Sequence, residues 1–321
     1  MEDPIHESHD KLFKAAFSLP EHTAGLLRES LPPPIAAAVD WPNLQLRSGS
    51  FVDSQYARSH TDLLFSAPIG GRDSLIYILF EHQSSRDALL PLRLLRYMNR
   101  IWEDLLKTSP TRTKLPAILP VVLSQNTIVS DLSTQFSDLL DFPADLDDEL
   151  RPFLPQFSYL HLQLALMDYE AIPGTATGQY VLRAMKAERL GDLLADVLWD
   201  NALILQVPSE FFHLVLRYIL SADIDKNAFE DRVSAIPDLE TRSKAMTLAQ
   251  RYHQEGRQEG RQEGRQESRQ EDILRALEIR FGAVPTGLRE AVLTIQDWDR
   301  LDRLFQQAIT SGSFEDFARF L

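Results

Sequence analysis

The sequence contains no cysteine, which excludes disulfide frameworks, thiolate zinc sites and cysteine nucleophiles and fits a reducing compartment. It also lacks any apolar run near the roughly 20 residues that span a bilayer. The start, "MEDPIHESHDKLFKAAFS", carries acids where a signal peptide has a basic end and an apolar core, so a cytoplasmic chain with no membrane partner is expected. A basic surplus is missing too. The formal net charge of -14 argues against coating nucleic acid by bulk electrostatics.

What the chain has is uneven charge. Residues 138–150, "DLLDFPADLDDEL", hold six acids and no base, whereas residues 86–114 hold Arg86, Arg93, Arg96, Arg100, Lys107, Arg112 and Lys114 against Asp87, Glu103 and Asp104. At 321 residues and 44% hydrophobic content the chain can form a sizeable α/β domain and a smaller attachment. "HESHDKLFKAAFS" predicts a helix capped by Ser8 or Asp10, with Leu12, Phe13, Ala16 and Phe17 on one face. "LQLRSGSFVD", "RSHTDLLFSA" and "LIYILFEHQ" predict strands. A helix from about Ala88 to Lys107, strands in "LPAILPVVLS" and "FSYLHLQLAL", and helical patterning from about residue 177 complete a mixed α/β sheet closed over by helices.

From residue 251 the text becomes "RYHQEGRQEGRQEGRQESRQEDILRALEIRFG". Its four-residue unit stacks Glu255, Glu259, Glu263 and Glu267 in one stripe, Arg257, Arg261, Arg265 and Arg269 in another, and Gly256, Gly260, Gly264 and Ser268 in a third. Like charges meet at i and i+4, and each glycine costs about 1 kcal/mol relative to alanine, so an ordered helix here needs support from outside itself. A solvated spacer and a helix for homo-oligomer formation both fit. The tail reads as a small module of three short amphipathic helices. Expected boundaries are 1–205 for the α/β domain, 206–250 for a helical extension, 251–271 for the repeat and 272–321 for the module.

The chemistry is concentrated in "SLIYILFEHQSS", residues 74–85, an apolar strand that ends in Glu81, His82 and Gln83. A turn centred on Gly71 and Arg72 places Asp62 across from Glu81, and a two-residue shift moves it to a diagonal on the same face. Gln83 shares that face by strand alternation. Two buried carboxylates at this separation repel. A Mg²⁺ or other divalent ion would remove the conflict and activate water, and a structural ion pair to Arg93 or Arg96 would remove it equally well. Arg93, Arg96 and Arg100, at i, i+3 and i+7, could reach phosphates beside such a site.

In order and spacing, "HDKLFKAAFS", "DLLF", "FEHQSS" and "PLRLLRYM" resemble the recombination-promoting nuclease (Rpn) or YhgA-like transposase family, a branch of the PD-(D/E)XK nuclease superfamily. The resemblance covers roughly residues 4 to 205 and extends to the repeat and helical tail. It implies a core of helix, three strands, helix and strand, and magnesium-dependent DNA endonuclease activity linked to recombination or mobile DNA, with DNA as partner. It also implies Asp62, Glu81 and the His82 backbone carbonyl as metal ligands, and Gln83 where the superfamily has a lysine. A neutral Gln83 orients water without adding positive charge, which leaves that role to Lys14 or to an arginine; Lys14, one turn after Asp10, fits a solvated partner of Asp10 at least as well. His60 has either a structural or a phosphate-facing role; His9, beside Asp10, is expected to cap a helix or lie on the surface, with contact to the site as the alternative. After "LPVVL" the family continues with a glycine and an aromatic, whereas this chain has "SQNTIVSD", so the loop beside the site is altered. A catalytically inactive nuclease-fold module that binds DNA or protein is the alternative reading.

Overall fold

The computed structural model describes residues 4–47, 60–81, 87–129, 132–141, 143, 146–222 and 224–321, without the side chains of 4–8, 60–61, 147–148 and 252–263. The chain forms two compact units, Met1–Met246 and Thr247–Leu321. Among the described residues no helix is long and apolar enough to cross a membrane.

The first unit begins with helices α1 (Pro4–Phe17), α2 (Pro20–Ser30) and α3 (Pro33–Ala38). Three strands follow, β1 (Gln45–Arg47), β2 (His60–Ile69) and β3 (Arg72–Glu81), then α4 (Leu90–Thr108) and β4 (Ala117–Ser124). A short α5 (Asp147–Leu150) precedes β5 (Leu160–Gln163), and α6 (Ala176–Leu190), α7 (Asn201–Ile204), α8 (Ser209–Ser221) and α9 (Lys226–Ser234) complete the helical layer. The five strands form one mixed sheet in sequence order, with β2 antiparallel to β1 and β3, and β3, β4 and β5 parallel.

Alternation along β3 divides the core into two layers. Leu75, Tyr77 and Leu79 point to the face covered by Leu90, Leu94, Tyr97 and Ile101 of α4. Phe80 points the other way and stacks on Phe13 of α1, ring centroids 4.5 Å apart. The expected α1 stripe of Leu12, Phe13, Ala16 and Phe17 is fully buried on that side. The helix starts earlier than its sequence pattern suggests. Pro4 occupies its first turn, so neither Ser8 nor Asp10 caps it.

The β2–β3 turn sits one residue before its expected centre. Gly70 and Gly71 are its two central residues, with φ of 58° and 74°, and Ile69 pairs with Arg72. A two-residue turn of this twist needs φ > 0 at both positions, which two glycines supply and Gly71 with Arg72 would not. The register therefore places Asp62 opposite Leu79, and His60 rather than Asp62 opposite Glu81.

In the second unit, α10 (Leu239–Phe281), which runs through the boundary between the units, contributes Ile273, Leu274 and Leu277 to a separate core. Gly282, at φ 88°, ends that helix. The remaining helices α11 (Thr286–Leu293), α12 (Trp298–Thr310) and α13 (Phe314–Ala318) add Val292, Leu301, Leu304, Ala308 and Phe317. The last turns of the repeat are held by this module. Gln266 and Gln270 donate to the Ile295 carbonyl at 3.3 and 2.8 Å, Arg269 pairs with Asp302 at 3.0 Å, and Arg265 and Arg269 lie over the Trp298 ring at 4.9 and 5.3 Å.

A Cβ added at Gly264 meets nothing within 4 Å. Gly264→Ala should therefore raise the stability of the full chain by up to about 1 kcal/mol, read from its denaturation midpoint. A fall would mean that a second chain needs the gap.

Candidate active site

Sheet register brings the polar residues of four strands together. His60, Glu81, Ser124 and Gln163 form one row across β2, β3, β4 and β5, and Asp62, Leu79, Val122 and His161 form the next row on the same face. The rows lie at the carboxyl ends of the three parallel strands, where open α/β sheets bind ligands. Just below them the α4-facing side is apolar, built from Tyr77, Leu64 and Leu75.

Asp62 and Glu81 are 5% and 4% exposed, so each needs compensation inside the protein. Arg93, itself 5% exposed, comes from the first turns of α4 with Nη2 3.2 Å from Glu81 Oε1 and Nε 2.7 Å from Asp87 Oδ2. The Tyr77 hydroxyl donates to Asp62 Oδ2 at 3.4 Å. Burial first, and then the field of Asp62, raise the Tyr77 pKa well above its ordinary value, so the phenol stays a donor. The Glu81 carbonyl accepts from the Gln125 backbone N–H at 3.4 Å. Gln125 is itself fixed, since its side chain donates to the Met185 carbonyl at 3.0 Å and its own carbonyl accepts from Arg189 at 3.2 Å.

Asp62 and Glu81 are diagonal neighbours, with backbones about 7 Å apart. The oxygen donors are the hard type that Mg²⁺ takes, which fits the ion. They are too few for a closed cage: among the described residues no group of three or more His, Cys, Asp or Glu is positioned to hold a metal. His82 and Gln83 lie outside the described residues, as does the side chain of His60.

The three arginines of α4 separate by burial. Arg93 is enclosed, Arg100 is half-buried and Arg96 is exposed, because they straddle the edge of the buried helix face. Arg96 and Arg100 line a surface hollow with Leu92, Leu95, Asn99 and Glu103. Asp10 is half-buried and Lys14 exposed on α1, whose Phe13 packs against the opposite face of the sheet from Glu81. His9 is not on the surface. It is 4% exposed, 2.8 Å from the Tyr218 hydroxyl through Nδ1 and 3.3 Å from Glu188 through Nε2, and so ties α1 to α8 and α6.

Sequence reasoning missed Asp87, Ser124, Tyr159 and His161. His161 Nε2 is 2.9 Å from Ser124 Oγ, and its ring lies 5.9 Å from that of Tyr159. Burial lowers the His161 pKa, an effect partly opposed by Glu81. The Tyr159 pKa is raised by burial, then by Glu81 and Asp87. The only sequence signal was the alternation in "YLHLQ", whose two polar positions gain meaning once β5 is paired to β4.

Residues 7–209 match the model of the family described as "Putative transposase, YhgA-like". A relative from Escherichia coli O157:H7, "Recombination-promoting nuclease RpnD", is 26% identical over 258 residues, covering 77% of this chain and 94% of that protein. "Recombination-promoting nuclease RpnA" of Escherichia coli K12 is 33% identical over 114 residues, 36% of this chain and 38% of that protein. "Inactive recombination-promoting nuclease-like protein RpnE" of the same strain is 31% identical over 96 residues, 30% of this chain and 32% of that protein. No solved structure matches.

Removing the guanidinium leaves Glu81 and Asp87 without it, so Arg93→Ala should cost about 3–5 kcal/mol in urea unfolding with EDTA present. A cost below about 1 kcal/mol would show that other groups compensate Glu81. Burial also lowers the pKa of His22, His161 and His213 below the ordinary 6.5. These side chains are neutral in the fold, and the unfolded chain takes up protons first. The stability they contribute is present above pH 6.5 and lost as pH falls through the lowered values, so the urea midpoint should drop across that window and drop less in His161→Gln.

Proposed function

The chain belongs to the YhgA-like transposase family, and from that premise we propose that it is a divalent-metal-dependent DNA endonuclease acting in recombination, built on a PD-(D/E)XK-like core. The observation that carries the reading is the pair of buried carboxylates, Asp62 and Glu81, on one face at the ligand-binding end of the sheet. With α2 and α3 inserted after α1, the order of helix, three strands, α4 and β4 suits that core, and relatives named as recombination-promoting nucleases support the activity.

Asp62, Glu81 and the His82 carbonyl would hold the ion, which when bound lowers the pKa of water and neutralises charge on the phosphoryl group. The Tyr77 hydroxyl, donating to Asp62 Oδ2, limits the rotation of that carboxylate. Arg93 holds both Glu81 and Asp87, so it keeps one carboxylate partner when Glu81 takes up another. The bond from Gln125 to the Glu81 carbonyl holds the strand end in place, and Gln83, two residues on in sequence, would orient the attacking water as the family resemblance implies. Arg96 and Arg100, on the outer side of α4, supply positive charge for the approaching backbone.

The inactive, DNA- or protein-binding reading has one specific support: Glu81 already has a cationic partner in Arg93, as in a purely structural ion pair. Purified protein with supercoiled plasmid separates the two. The nuclease nicks with Mg²⁺, stops with EDTA, and loses at least about 100-fold of its rate in Asp62→Ala and in Glu81→Ala. Binding without turnover in any divalent ion would establish the alternative.

A further inference from the structure

Outside the carboxylate pair, the same face of the sheet holds a second built feature. His161 lies in the Asp62 row, two strands beyond Leu79, on the order of 10 Å from β3 at the usual strand spacing. Ser124, fully buried, engages its Nε2 at 2.9 Å. The ring is half-buried, and Nδ1 has no hydrogen-bond partner among the described residues. Among the described residues the charge that acts on the ring is that of Glu81 of β3; Tyr159 of β5 is its titratable neighbour, itself acted on by Glu81 and Asp87. His161 is clamped through one nitrogen by a buried hydroxyl on the next strand, which fixes the ring plane.

We propose that His161 is a substrate-binding residue whose Nδ1–H donates to a DNA phosphate adjacent to the one cut at Asp62 and Glu81, with Ser124 as the residue that positions its ring. The inference rests on the nuclease reading. It requires that Ser124 accept at Oγ from, or donate to, Nε2 while Nδ1 carries a proton. Two states satisfy that: the imidazolium, with Ser124 accepting, and the Nδ1–H neutral tautomer, with Ser124 donating. The contact therefore works with or without a charge on the ring. It reads backbone and no base, so it affects all sequences alike.

The test uses full-length protein and fluorescein-labelled duplexes of two unrelated sequences, with binding measured in Ca²⁺ and steady-state nicking in Mg²⁺. His161→Phe, which keeps a ring without N–H groups, should weaken binding about tenfold, equally on both duplexes, the loss of one phosphate hydrogen bond of about 1.4 kcal/mol. The loss should appear in KM rather than in kcat. His161→Gln, which keeps an N–H donor, should recover most of the affinity, and Ser124→Ala should fall between. Wild-type affinity in His161→Phe would overturn the subsite and leave the nuclease reading intact. Equal losses in His161→Phe and His161→Gln with a lowered melting temperature would assign the residue to packing and overturn it as well. Wild-type protein that binds neither duplex would overturn both the subsite and the reading beneath it.

Discussion

A carboxylate at the end of a buried strand is stable only with a partner, and Arg93 is that partner for Glu81 while also holding Asp87. The guanidinium is rigid, permanently charged and forked, so a single side chain can serve two carboxylates. Its position ties the chemistry to the architecture. Because Arg93 projects from the first turns of α4, the packing of Leu94, Tyr97 and Ile101 against Tyr77 and Leu79 sets where the charge sits. A shift of the helix would disturb the site and the core together.

That coupling explains how an acidic chain could handle a polyanion. Net charge governs long-range encounter, but beside the carboxylates the local charge includes Arg93, paired with Glu81, while Arg96 and Arg100 lie on the outer side of α4. The acids of residues 138–150 lie in a different part of the chain, on the connection from β4 to β5.

Much of this was legible in the sequence because it depends on short-range pattern. The apolar stripe of α1, the apolar runs of β2 and β3 and the amphipathic α4 were all readable. Register was harder, since one residue of error in a glycine turn moves a cross-strand pair by two, and only the need for φ > 0 at both central positions selects Gly70–Gly71. The fates of the three arginines were not legible, because helical spacing groups Arg93, Arg96 and Arg100 while the edge of the buried face divides them. His161 and Ser124 could not be found from local sequence. They meet only through the parallel pairing of β4 with β5, which sets Val122 beside His161 and Ser124 beside Gln163, a non-local contact with no motif of its own. His9 likewise gains its partners from α6 and α8, far along the chain.

In the proposed nuclease, Asp62 and Glu81 would form a metal site in which Arg93 keeps a carboxylate partner. The most direct measurement is an anomalous difference map from crystals grown with Mn²⁺. The account predicts a peak between the Asp62 and Glu81 carboxylates, with Arg93 still paired to Asp87. An intact Arg93–Glu81 pair with no peak between the carboxylates, in protein that cleaves DNA with Mn²⁺, would contradict it.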